Sequence, residues 1–235
     1  MKDDFLKQMA EGPRKIAVTG HFGSGKTEFA VSLAMALAAA GCPRLALADL
    51  DVENPYFRSR ERQELMRNAG IRVYSDPFGG HNASELQTID AAIRAPLEQE
   101  DCRVILDCGG DASGSMILNQ FSRYLREDTR LLSVVNCCRP GTDTPEKAAE
   151  QIRQTEHITG LTVTGLISNA HLIYYTTADT VREGWDFTLQ VAELTGIPAL
   201  AACCMESLRD PLSREDLPLF PIGMYMRDSY LDKQV

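Results

Sequence analysis

The chain has 235 residues, of which 44% are hydrophobic and 24% charged, and its formal net charge is −9. That length suits one α/β domain with a sizeable core, and the composition is that of a globular chain, not a disordered or fibrous one. The acidity disfavours nonspecific attraction to nucleic acid or anionic membrane, and seven cysteines with no Cys-x-x-Cys pair make neither a disulfide framework nor a zinc ribbon.

The opening "MKDDFLKQMAEGPRK" has no apolar core of signal-peptide length, and residues 1–14 read as an N-terminal extension. The most apolar stretch, "FAVSLAMALAAAG", falls short of the ~20 residues of a membrane span, so a cytoplasmic location is the expectation. From "KIAVTG" onward, short β-branched runs alternate with helix-length segments: "RLALADLD", "IRVYS", "RVILDCGG", "LLSVVNC", "TVTGLIS" and "ALAACCM". Near-continuous apolar runs of this kind predict buried parallel strands, about seven, in a three-layer doubly wound α/β sheet of a single domain spanning 1–235.

The first strand leads into Gly20-His21-Phe22-Gly23-Ser24-Gly25-Lys26-Thr27, which fits G-x-x-x-x-G-K-[ST] at every fixed position and opens a helix over 26–40. Glycines let the backbone N–H groups curl round phosphate, and the helix N-terminus adds positive potential. Lys26 is expected to reach the β- and γ-phosphates and the Thr27 hydroxyl to coordinate Mg²⁺. Gly20, Gly23, Ser24, Gly25 and the adjoining Glu28 complete the expected nucleotide-binding set.

Asp49 and Asp51 close the second strand, at the edge where open α/β sheets bind ligands. Asp51 is placed to position or deprotonate an attacking water. The following "DVENPYFRSRERQELMRNAG" offers Tyr56 and Phe57 in a polar-aromatic turn, and Arg58, Arg60 and Arg62 as either phosphate contacts or a solvated helix face. "SDPFGGHNASE", with a surface His81, reads as a second loop, and "NASELQTIDAAIRAP" as a helix stopping near Pro96.

"RVILDCGGD" puts Asp107 at a strand end as the carboxylate that orients water on Mg²⁺, with Cys108 beside it and Asp111 readable as a helix N-cap. Cys137-Cys138 and Cys203-Cys204 lie in apolar runs whose neighbours point to opposite faces, so burial is expected of both pairs. Thr144 before Pro145 starts a helix that closes at Gly160, and a further helix closes at Gly196. The tail over 208–235 is Pro-rich and reads as irregular.

The loop, the "DLD" and the "DCGGD", in that order over roughly residues 15–205, resemble the MinD/ParA group of P-loop ATPases. That group belongs to the SIMIBI class, with nitrogenase iron protein, the Mrp proteins and the CobQ/CobB-type domains. The resemblance implies that Asp49 is the magnesium-side acid of switch I, Asp51 the water-activating acid and Asp107 the Walker B acid. It also implies that Asn169, in "GLISNAH", hydrogen-bonds adenine.

The sequence departs from the group at His21-Phe22-Gly23, where many members have Lys-Gly-Gly and a lysine that crosses an ATP-sandwiched dimer. A neutral histidine supplies no constant positive charge there. The run Asn169-Ala170-His171-Leu172 lacks the Asn-Lys-x-Asp of guanine readers, which favours ATP over GTP. The tail has no basic amphipathic helix for a membrane, and nothing basic suggests nucleic acid.

The leading expectation is a Mg²⁺-dependent, slowly hydrolysing ATPase switch that forms a nucleotide-dependent homodimer or docks another protein. A synthetase like dethiobiotin synthetase and a non-hydrolysing regulator are the alternatives.

Overall fold

A computed structural model of the chain describes residues 4–51, 62–74, 93–110 and 112–226. The seven apolar runs form strands: β1 (Lys15–Thr19), β2 (Leu45–Asp49), β3 (Arg72–Tyr74), β4 (Arg103–Asp107), β5 (Thr129–Val135), β6 (Val163–Ser168) and β7 (Ala199–Met205). An eighth, β8 (Leu219–Ile222), completes one sheet of order β3-β2-β4-β1-β5-β6-β7-β8. Every pairing is parallel. A sheet of this kind hides both faces, and β1 and β2 are buried along their whole length.

Side chains alternate between two cores. Ile16 and Val18 enter the cluster that contains Phe29 and Leu33 of α2 (Lys26–Ala39), while Ala17 between them enters the opposite cluster with Leu106 and Phe121. Cys203 and Cys204 divide in the same way, one into each of two separate clusters, and both are buried as expected. Cys137 and Cys138 differ from expectation: β5 ends at Val135, so they lie in the following loop and are half-buried. α7 (Pro145–Thr159) and α8 (Ala178–Thr195) begin and end where the capping signals put them, at Thr144 and Gly160 and at Thr177 and Gly196.

Two segments are more ordered than their sequence indicated. The N-terminal extension holds α1 (Asp4–Glu11), whose Phe5 and Met9, one turn apart, are buried. The Phe5 ring lies 5.3 Å from Phe220 and 6.3 Å from Phe29, and Phe29 lies 5.5 Å from Phe220. Arg103 donates to the carbonyls of Ala10, Gly12 and Pro13, satisfying the C-terminal end of α1.

The tail, expected to be irregular, carries α9 (Glu206–Leu212) and β8. Pro221 obscures this strand in the sequence but is tolerated at the sheet edge, where it faces no further ladder. The loop with Tyr56, Phe57, Arg58 and Arg60, the loop with His81, most of the helix expected over 82–96, and Asp111 lie outside the described residues. Residues 93–98 are helical, so the helix runs past Pro96.

Parallel strands share one C-terminal edge. The phosphate loop follows β1, Asp49 ends β2 with Asp51 just beyond it, Asp107 ends β4, Asn136 follows β5, Asn169 follows β6, and Met205 ends β7.

Candidate functional site

Lys26 and Thr27, the first two residues of α2, are both buried, as are Asp49, Asp51 and Asp107. Lys26 Nζ lies 3.3 Å from Asp51 Oδ2, with both side chains only 5% exposed. The Thr27 hydroxyl donates to Asp107 Oδ1 at 3.3 Å. Asp49 Oδ1 accepts the Asp51 backbone N–H at 3.1 Å, which fixes the turn carrying Asp51. The sheet register does the alignment: Asp49 of β2 is opposite Asp107 of β4, and Val18 of β1 opposite the same Asp107.

Three carboxylates against one lysine leave the site electronegative. Burial, and secondly the charge of Asp49, pushes the Asp107 carboxyl well above the usual carboxylate range, while Lys26 and Thr27 pull it the other way. Asp107 Oδ2 is buried and has no hydrogen-bond partner among the described residues. An orphaned carboxylate oxygen beside a threonine hydroxyl fits a divalent cation and its shell of water. Among the described residues no three His, Cys, Asp or Glu side chains are grouped to hold a metal by themselves. A cation here would take its other ligands from phosphate and water. Thr27 and Asp107 are therefore the residues able to hold Mg²⁺, with Asp49 opposite Asp107 in the sheet register.

The loop is braced from β6. Asn169, 2% exposed, donates from Nδ2 to the Ser24 carbonyl at 2.8 Å. Gly25 has φ +85°, and a Cβ there would fall 2.3 Å from that same Nδ2. The glycine is thus required twice, for its left-handed backbone and for the approach of the amide. An Asn amide has two donor hydrogens and an acceptor oxygen, so the brace uses one donor of Asn169. Ser24 Oγ is a second buried polar atom without a hydrogen-bond partner among the described residues.

The residues after β5 also touch the loop, a contact the sequence reading missed. Arg139 Nε donates to the Gly23 carbonyl at 2.7 Å. The His21 ring faces Gly141, where an added Cβ would meet Nε2 at 3.1 Å, and His21 Nδ1 lies 2.9 Å from the Phe22 carbonyl oxygen. The available signal was positional: "NCCRPG" follows the strand next to β1 in the sheet. Phe22, at the tip, is 67% exposed.

Beside the loop opens a cavity of about 310 Å³. Lys26, Thr27, Asn169 and Arg139 give it a polar end. Met205, Ile222, Met224 and Met226 give it an apolar end. Glu28, expected to contact nucleotide, lines this cavity, and its carboxylate accepts the backbone N–H groups of Tyr225 and Met226 at 2.5 and 2.9 Å. Cys108 is buried, its thiol turned to the Leu106 carbonyl, and burial pushes its pKa far up, away from thiolate chemistry.

No family model matches the chain, and no curated protein is similar to it in sequence. Solved structures share its fold. The signal recognition particle receptor FtsY from Elizabethkingia anophelis, in complex with GDP, superposes with a TM-score of 0.52 at 17% identity, over 84% of this chain and 63% of that one. The signal recognition particle 54 kDa protein from Aeropyrum pernix K1, also in complex with GDP, gives 0.56 at 18% identity, over 84% and 45%. The cell division protein FtsY from Thermotoga maritima gives 0.52 at 20% identity, over 84% and 67%. The chain thus spans about half to two thirds of the length of these neighbours. No helix among its described residues is long and apolar enough to cross a membrane.

Proposed function

We propose that the chain is a Mg²⁺-dependent nucleotide switch that binds ATP and hydrolyses it slowly. One observation carries the reading: Lys26 and Thr27, each paired with a buried carboxylate, Asp51 and Asp107, also line a nucleotide-sized cavity.

In this reading the Lys26–Asp51 pair is the resting state. Arriving triphosphate draws Lys26 to its β- and γ-oxygens, which frees the Asp51 carboxylate for a water in line with the γ-phosphorus. Thr27 and Asp107 are the residues that would hold Mg²⁺, which when bound would supply positive charge against the phosphate oxygens. Water oxygen bonds to the γ-phosphorus as the bond to the β–γ bridging oxygen breaks, and Asp51 takes the water's proton or orients it. Arg139, tied to the loop at Gly23, lies at the polar end of the same cavity as a further positive group.

The base follows from the apolar end. Guanine recognition uses a carboxylate that accepts from the ring N–H and the exocyclic amine. The one carboxylate among the described lining residues, Glu28, spends both oxygens on backbone N–H groups. Adenine makes no such demand. The GDP carried by two of the fold neighbours favours GTP as the second reading. The exposed Phe22 beside the loop suits a contact with a second copy or another protein in the nucleotide-bound state.

Calorimetric titration of ATP and GTP with Mg²⁺ separates the two bases. Lys26→Ala is expected to abolish binding, and Asp51→Ala to keep binding while losing turnover. Normal turnover in the Asp51 variant would remove it from the catalytic role. Mass in solution with and without a nonhydrolysable ATP analogue tests the switch.

A further inference from the structure

Two segments that line the cavity each contain a residue in a backbone conformation that it disfavours. Ile173 has φ +59° and Met224 has φ +52°, and both line the cavity. A β-branched residue in the left-handed region persists only where its surroundings over-determine it. For Ile173 they do: the Thr176 hydroxyl donates to the Ile173 carbonyl at 2.7 Å and accepts the Leu172 N–H at 2.9 Å, closing a single 3-10 turn over Ile173–Tyr175.

Met224 belongs to the segment 223–226 that leaves β8, and its anchors come from α2. The Ser32 hydroxyl accepts the Gly223 N–H at 3.0 Å. One turn earlier on the same face, Glu28 accepts from Tyr225 and Met226 with its two oxygens. Glu28 directly follows Thr27, so the first turn of α2 holds the phosphate end of the cavity with one residue and its base end with the next.

Taking the nucleotide reading above as its premise, we infer that Glu28 is the positioning residue for base recognition, holding the Met224–Met226 segment as one jaw of a clamp whose other jaw is Ile173. The ligand class is a purine ring: thioethers are polarisable and pack favourably on aromatic systems, and the jaws present few groups that would reject a flat, largely apolar surface. A carboxylate is required because it accepts two neighbouring N–H groups at once. A glutamine has one acceptor oxygen and would set an NH₂ group against the second N–H.

The test compares Mg-ATP with Mg-tripolyphosphate, which has the phosphates and no base, by titration calorimetry on wild type, Glu28→Gln and Met226→Ala. Wild type is expected to bind ATP more tightly than tripolyphosphate. Glu28→Gln is expected to weaken ATP by roughly tenfold while tripolyphosphate stays within about twofold. Met226→Ala, which leaves α2 untouched, is expected to shift the same ratio in the same direction, and it carries the test alone if circular dichroism shows Glu28→Gln unfolded. Equal weakening of both ligands by Glu28→Gln would place its effect in the phosphate loop and overturn the inference, as would an unchanged ratio in both variants. Wild type that bound neither ligand would overturn the nucleotide reading itself.

Discussion

Replacing Gly25 with alanine probes the brace between the phosphate loop and β6. The new Cβ falls 2.3 Å from Asn169 Nδ2 and 3.2 Å from His171 Nε2. An L-residue at φ +85° costs ~1–2 kcal/mol by itself. Asn169 can move aside only by giving up its bond to the Ser24 carbonyl, and a buried polar group left unmet costs ~1–3 kcal/mol. Gly25→Ala is therefore expected to lose ~2–5 kcal/mol in urea denaturation at 25 °C, with an unchanged slope. Asn169→Ala alone removes the same bond and the obstacle together, for ~1–2 kcal/mol. In the double variant the collision is gone, so its loss is expected to fall short of the sum by ~1–2 kcal/mol. Additivity within ~0.5 kcal/mol, or a nearly neutral Gly25→Ala, would refute the brace.

Asp107 gives a pH-dependent outcome. Burial raises its folded pKa above the unfolded value, so between the two the folded state binds more protons. Its contribution to the stability of the ligand-free protein is full below the ordinary carboxylate pKa and is lost as pH rises through that window. Asp107→Asn is expected to flatten this slope and to be the more stable protein at neutral pH, while losing the added stability conferred by Mg-nucleotide. Thermal melts across pH check it, and an unchanged slope refutes it. Arg139→Ala removes the Gly23 contact and a cation from the cavity's polar end, and is expected to weaken Mg-ATP by roughly fivefold or more. Arg139→Lys is expected not to restore affinity, since the Nε donor geometry is lost. Wild-type affinity in either variant counts against this role.

Seven strands and the order of the site were legible because their signals are local: β-branched runs, a glycine-framed loop, acidic residues where a run stops. Residues that work by tertiary contact were not. Asn169 stood out through resemblance as a base reader, yet its bond to the Ser24 carbonyl depends on β6 lying two strands from β1. Glu28 looks like an ordinary first-turn acid until its partners, Tyr225 and Met226, arrive from beyond β8. β8 itself was obscured because Pro221 breaks the strand pattern, and only an edge position makes it acceptable. The amphipathic pair Phe5 and Met9 was readable in principle but is too short a pattern to distinguish docking from a solvated helix.

The contact of Phe5, Phe29 and Phe220 has a consequence for how the molecule is made. A growing chain carries α1 and α2 long before β8 exists, so two apolar helix faces wait for a strand near the other end of the sequence. Contacts this distant form late and expose hydrophobic surface meanwhile. A chain that stops before Phe220 lacks the ring that packs on both Phe5 and Phe29, so that part of the apolar surface stays exposed until β8 is made.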